Sequence, residues 1–218
     1  MDDPTPALVP ILGVTAALGL ATFFVVTTTS FIKISIVFFI VRNAIGVPQT
    51  PPNIVLYGIA LALTAFVMGP LIAQVGDILA RLDGDPQAFD TWVTGIREAA
   101  VPVQAFLARF TTAEARQFFV DASLHVWPEG QAPAVDPDGL AVLIPSFLTS
   151  ELQRAFEIGF LLYLPFVVID LVVTTILMAM GMSMVTPQII ATPMKLFLFV
   201  AIDGWTKLTE GLVMTYAV

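Results

Sequence analysis

The stretch IGFLLYLPFVVIDLVVTTILMAMGMSMV, residues 158–185, decides what kind of protein this is. A membrane anchor needs about 20 consecutive apolar residues. This run is longer, and as one helix it would reach roughly 42 Å at about 1.5 Å per residue. That is too long for a plain upright span. It also carries Pro165, a lone acid at Asp170, and methionines at Met178, Met180, Met182 and Met184. A single carboxylate in lipid is costly. The rest of the chain has to account for the length, the acid and the methionines together.

The 218 residues are 57% hydrophobic and only 12% charged, with a mean hydropathy of +0.91. Soluble domains carry about 25% charged residues. The composition therefore reads as an integral membrane protein or the buried core of a membrane complex. There is no cysteine, which excludes a disulfide framework and a thiolate nucleophile. A single histidine, His125, excludes a multi-histidine metal motif. The net charge of −8 argues against nucleic acid as a partner, because a basic surface is its usual footprint. No phosphate-binding glycine motif is present, so no cofactor is expected. The acidic start, with Asp2 and Asp3, is unlike a signal peptide's positive region. No cleavage is expected there.

Outward from the opening stretch, the chain reads as apolar hairpin, acidic insert, apolar hairpin. Residues 7–45 are apolar apart from Lys33 and Arg42. They form either one very long helix or two helices meeting at Thr27, Thr28, Thr29 and Ser30, since hydroxyls bend helices by bonding back one turn. GVPQTPPN, residues 46–53, cannot continue a helix because of Pro48, Pro51 and Pro52. It is expected to be a tight hairpin turn. The next apolar run, 54–75, places Gly58, Ala62, Ala65 and Gly69 on one helix face. Such a face either lets helices approach closely or simply reflects membrane composition.

Residues 76–140 differ in kind, with ten acids against four arginines, a net −6. Phe89, Trp92, Val93 and Ile96 repeat with helical spacing, as do Val103, Phe106, Leu107 and Phe110. Two amphipathic helices of a small extracytoplasmic insert are expected, followed by a loop from His125 to Asp138. His125 is read as a solvated loop residue. Residues 141–218 then form the second hairpin. A helix cap is expected within 146–149 or at Ser150, and TPQIIATP, residues 186–193, is expected to be its connector.

No catalytic constellation emerges. The sparse charges inside apolar runs are Lys33, Glu157, Asp170, Lys195 and Asp203. They either line an ion pathway or fix helix register and subunit packing, and residues of both signs scattered this way favour packing. Lys195 and Asp203 lie eight apart, so partners on other helices are expected. The methionines are either hydrophobic filler at a helix end or, in a loop, a soft adaptable seal.

Several long motifs in the right order now resemble one family. They are FIKISIVFFIVRNAIG (31–46) with QTPPN (49–53), LIPSFLTSELQRAFEIGF (143–160), LPFVVIDLVV (164–173), MAMGMSMV (178–185) and KLFLFVAIDGW (195–205). Together they resemble the type III secretion export-gate family, comprising flagellar FliP and injectisome SctR, also called YscR or HrcR. FIKIS, VRNA and AFEIGFLLYLPF look more like the injectisome branch, whereas QTPP is shared with the flagellar one. The resemblance covers nearly the whole chain and is weakest in the insert and at the N-terminus.

The resemblance implies an all-α membrane protein of long, bent helical hairpins assembling as a ring, typically pentameric. It implies partners of the SctS/FliQ, SctT/FliR and SctU/FlhB kinds, and unfolded substrate proteins passing through a central channel. The location implied is the bacterial inner membrane, with much of the assembly on the periplasmic side and no enzymatic activity. The family's methionine-rich loop, a gasket on the resting pore, maps here to Met182 and Met184, with Met180 adjoining and Gly181 giving the loop freedom. Many flagellar members have a third methionine where this chain has Ser183. In such a ring Pro165 bends its helix and Asp170 faces a neighbour rather than lipid. The competing reading is a small-ion or solute transporter that uses the intramembrane charges.

Overall fold

The computed structural model describes residues 15, 19–20, 22–82, 89–126, 136–182 and 184–217. Asp2, Asp3, most of 7–21, residues 127–135 of the loop expected from His125 to Asp138, and Ser183 lie outside them. The described residues are helical: α1 (Thr22–Thr28), α2 (Phe31–Ile45), α3 (Asn53–Ala80), α4 (Phe89–Phe110), α5 (Ala113–Val126), α6 (Leu140–Ala179), α7 (Gln188–Ala201) and α8 (Gly204–Met214). Among them, α3 and α6 are each long and apolar enough to cross a membrane, and up to four spans result if two bent pairs are counted.

The chain divides into two compact units. One comprises Met1–Ile32 with Ala73–Thr149, the other Lys33–Ile72 with Ser150–Val218. In the first unit the apolar N-terminal run breaks at Thr29 and Ser30, which decides between one helix and two. Thr27 Oγ1 donates to the Phe23 carbonyl at 2.8 Å and Thr28 Oγ1 to that of Phe24 at 2.7 Å, while Thr29 bonds back to Val25. Three consecutive back-bonds of this kind loosen a helix at its end.

The insert has two helices, but not with the expected division. Both apolar repeats lie on α4, because Phe89 and Val103 are close to four turns apart at about 3.6 residues per turn, so one face continues through Pro102. Leu107 and Phe110 are buried, whereas Ile96 is exposed. The second helix, α5, begins where Thr112 Oγ1 accepts the Ala115 N–H, with Glu114 in the favourable first turn. Arg116 ties this corner to the Ala108 carbonyl at 3.0 Å and to Asp138 at 2.9 Å. His125 is not in a loop. It sits in the last turn of α5 with Nδ1 3.1 Å from the Asp121 carbonyl.

Two further expectations give way to longer helices. Ser146, Thr149 and Ser150 do not cap anything, because α6 already starts at Leu140 and runs for 40 residues. Ser146 and Thr149 satisfy their hydroxyls on the carbonyls of Val142 and Pro145, four residues back. The 186–193 connector shortens to two residues, since α7 starts at Gln188 and contains Pro193. In return, the last apolar run breaks at Ile202 and Asp203, where α7 and α8 meet at 61°.

In the second unit α2 is the central helix, burying Ile34, Val37, Phe38, Val41, Ala44 and Ile45. On α3 the chain buries Leu56, Ala60, Thr64 and Met68, spaced by four. The small-residue stripe is a different face: Gly58, Ala62 and Ala65 are exposed. The rings of Phe38, Trp205 and Phe199 stack edge to face against α2 and α7. A Cβ on Gly204 would strike Phe199, and one on Gly159 would strike Ile40, so α6 approaches α2 closely at Gly159.

This contact predicts a contrast between two helical glycines of the isolated, detergent-solubilised chain. Gly159→Leu should overpack the α2–α6 contact and cost about 1–3 kcal/mol. Gly58→Leu, with open space around it, should hold or slightly raise stability. Thermal unfolding followed by circular dichroism measures both, and equal losses would contradict the close approach.

Candidate functional site

The site-bearing residues belong to the second unit, and its turns are held by charged side chains. At the end of α2, Arg42 is nearly buried, lies 4.9 Å over the Phe39 ring, and donates through Nη1 to the Pro51 carbonyl at 3.1 Å and Asn53 Oδ1 at 2.6 Å. It thereby clasps the turn containing Pro48, Pro51 and Pro52. A guanidinium suits this task because its donors are held in a rigid fork. Gly46 starts the turn at φ +90°, a conformation open to glycine, with Thr192 Oγ1 only 3.0 Å from where a Cβ would stand.

Lys33 finds its partner on α6, and the partner is Glu151, the acid that follows the expected cap position Ser150. Glu151 is fully buried, with Lys33 Nζ 3.2 Å from Oε2 and Arg154 Nη1 3.2 Å from Oε1. Tyr216, just after α8, donates its hydroxyl to the same carboxylate, and Lys33 Nζ lies 3.6 Å over its ring. Burial, reinforced by the Glu151 charge, pushes the Tyr216 phenol above its ordinary range, so it stays protonated and donating. Three donors on one buried carboxylate offset much of the cost of taking it out of water. The missed residue was legible in principle. Once α6 starts at Leu140, Phe147, Glu151, Ala155 and Gly159 form a buried stripe with spacing four, and the acid sits inside it.

Asp170 and Lys195 meet between α6 and α7 at 2.6 Å, with Lys195 buried and Asp170 40% exposed. The pair stands at the foot of the methionine loop. Above it Val173, Leu177 and Ala191 form a small core with Ile169 and Val185 against it. The loop itself begins with a Schellman cap: Gly181 takes φ +74°, its N–H bonds the Met178 carbonyl, and the Met182 N–H bonds the Leu177 carbonyl, both at 3.0 Å. Gly181 thus ends a helix by adopting a left-handed conformation, which is a more defined task than loosening a loop. Met178 remains in the last turn of α6. Met180, Met182 and Met184 project from the loop, and Met184 is 99% exposed.

The other two charges are not buried by their own chain. Glu157 is exposed and accepts from Gln153 at 2.8 Å. Asp203 is exposed at the α7–α8 break, with φ +54° in the left-handed region that Asp tolerates better than most residues. Lys195, eight residues before it, is paired with Asp170. Among the described residues no three of His, Cys, Asp and Glu converge on a common metal position.

Known proteins match this chain over nearly its whole length. The FliP family profile matches residues 14–212. A probable translocation protein of Sinorhizobium fredii is 55% identical over 99% of this chain and 97% of its own. The Yop proteins translocation protein R of Yersinia pestis is 46% identical over 88% of each chain, and the harpin secretion protein HrcR of Erwinia amylovora 43% identical over 92% of each. The matched residues take in Lys33, Glu151, the proline turn and the methionine loop, and the chain belongs to the FliP family.

Proposed function

We propose that this chain is a ring-forming, non-enzymatic subunit of a type III secretion export gate, through which unfolded proteins pass. Its relatives are named for translocation and secretion, which supports the protein-conducting role. The observation that carries the gate reading is the loop of Met180, Met182 and Met184: flexible apolar side chains exposed to solvent on a stem braced by Asp170 and Lys195. Copies of such a loop around an axis would seal a resting pore and yield to a passing polypeptide, since methionine adapts to irregular partners. Of an apolar 18-residue stretch in each of the candidate spans α3 and α6, only 22% and 17% is buried by the chain itself, so these stretches require lipid or neighbours.

On this reading residues 1–75 and 141–218 are the ring-building hairpins and 76–140 the periplasmic insert of an inner-membrane assembly. The small-residue face of α3 and exposed Glu157 and Asp203 are available to further copies and to SctS-, SctT- and SctU-like subunits. Lys33 with Glu151, and Lys195 with Asp170, hold each protomer's own helices in register.

The native mass of the detergent-extracted complex, alone and with SctS- and SctT-like subunits, should show a discrete ring that takes up those subunits. In that complex reconstituted in liposomes, Met182→Ala with Met184→Ala should raise ion leak several-fold, and unchanged leak would remove the gasket. A monomer that by itself moves small solutes would favour a transporter instead. For the buried cluster, Glu151→Ala should cost about 3–5 kcal/mol by stranding Lys33, whereas Glu151→Leu with Lys33→Met should recover most of the loss. Chemical denaturation of the parent and the two variants in detergent measures that difference.

A further inference from the structure

Met178, Met180, Met182 and Met184 place four of the chain's eight methionines within seven residues. All four are exposed, from 42% at Met182 to 99% at Met184. A seal asks only for their flexible apolar bulk, so neither packing nor sealing calls on the sulfur atoms. The backbone folds this stretch into two consecutive hydrogen-bonded turns. The Gly181 N–H bonds the Met178 carbonyl at 3.0 Å, and the Val185 N–H bonds the Met182 carbonyl at 3.2 Å, closing a turn that carries Met184. Such a turn holds its first and fourth Cα atoms within about 7 Å. The four side chains therefore start from a compact stretch, and each carries its thioether on an unbranched, flexible stem.

We propose that this loop binds one soft monovalent cation, Cu(I) or its analogue Ag(I), through the thioethers of Met178, Met180, Met182 and Met184. The donor set carries the choice of ion. Residues 171–194 contain no Asp, Glu, His, Lys or Arg, and the charges that border them, Asp170 and Lys195, are committed to each other at 2.6 Å. Thioethers are soft ligands that select Cu(I). Zinc asks for thiolate, imidazole or carboxylate, and calcium and magnesium ask for several oxygens. No ionised group in this stretch offsets a double charge, whereas a monovalent ion needs less compensation. No positive charge within it repels a cation either. A thioether also carries no proton to be displaced, so this site differs from thiolate and imidazole sites in being insensitive to pH. The inference concerns only the sulfur atoms of the loop, and it stands whether or not the loop seals a pore.

Isothermal titration of the full chain in detergent with Ag(I), in chloride-free buffer, tests it without needing a reductant. One Ag(I) should bind per chain, zinc and magnesium should give no saturable heat, and the affinity should hold between about pH 6 and pH 8. Leucine keeps the size and apolar character of methionine. Met180→Leu with Met182→Leu and Met184→Leu should therefore weaken Ag(I) binding about a hundredfold. Met214→Leu, which removes an exposed but solitary thioether on α8, should leave it unchanged. A second readout needs no variant. In the parent chain carrying isotopically methyl-labelled methionine, the loop methyl resonances should shift and saturate at one equivalent, while buried Met68 and solitary Met214 stay in place. Equal binding by the parent and the triple variant, equal shifts at Met214, or an affinity that falls on acidification through the histidine range would mark an adventitious ion only and overturn the site. So would the absence of saturable binding by the parent.

Discussion

A carboxylate with no exposure to solvent is tolerable only if its charge is answered on the spot, and Glu151 is answered three times, by Lys33, Arg154 and Tyr216. These residues come from α2, α6 and the segment after α8, so the second unit closes on itself around one acid. The constraint is geometric as well as energetic. A slip of α2 by one residue would take Lys33 off the carboxylate and leave a bare buried charge, a far larger penalty than losing an apolar contact. Hydrophobic packing between long apolar helices tolerates many registers. A single buried ion cluster tolerates few.

The same logic recurs in smaller form at each turn of the unit. Arg42 clasps the proline turn between α2 and α3, and Asp170 with Lys195 pins α6 to α7 below the methionine loop. In between, glycine decides how near the helices come, at Gly159 against Ile40 and at Gly204 against Phe199. The methionine loop is therefore soft side chains on a firm base. Its base ends in a Schellman cap, its stem has a small apolar core, and only the loop side chains are left without a fixed environment.

Much of this was legible in the residues. Periodicity and composition specify helices, the proline turn and the membrane character, because each rests on local backbone chemistry or on summed hydropathy. The break at Thr29 and Ser30 was legible too, as one of two outcomes, since hydroxyl back-bonding is a local event. Helix ends were read less well. Ser146, Thr149 and Ser150 looked like caps and are interior, and His125 looked like loop and is helical, because a cap residue in mid-helix differs from a true cap only in what surrounds it.

The sequence by itself determined which charges stand in apolar runs and would be expensive to leave unpaired if buried: Lys33, Glu157, Asp170, Lys195 and Asp203. Desolvation cost depends on residue type and on hydropathy of the neighbourhood, both of which are written in the chain. Only the tertiary structure decided who pairs with whom, because Lys33 and Glu151 are 118 positions apart and Asp170 and Lys195 are 25. It also decided that Glu157 and Asp203 stay exposed, and that the small-residue face of α3 is not the face the chain buries. Those outcomes depend on which sides of α2, α3 and α6 meet, and helices apolar on nearly every side carry no stripe from which that choice can be read.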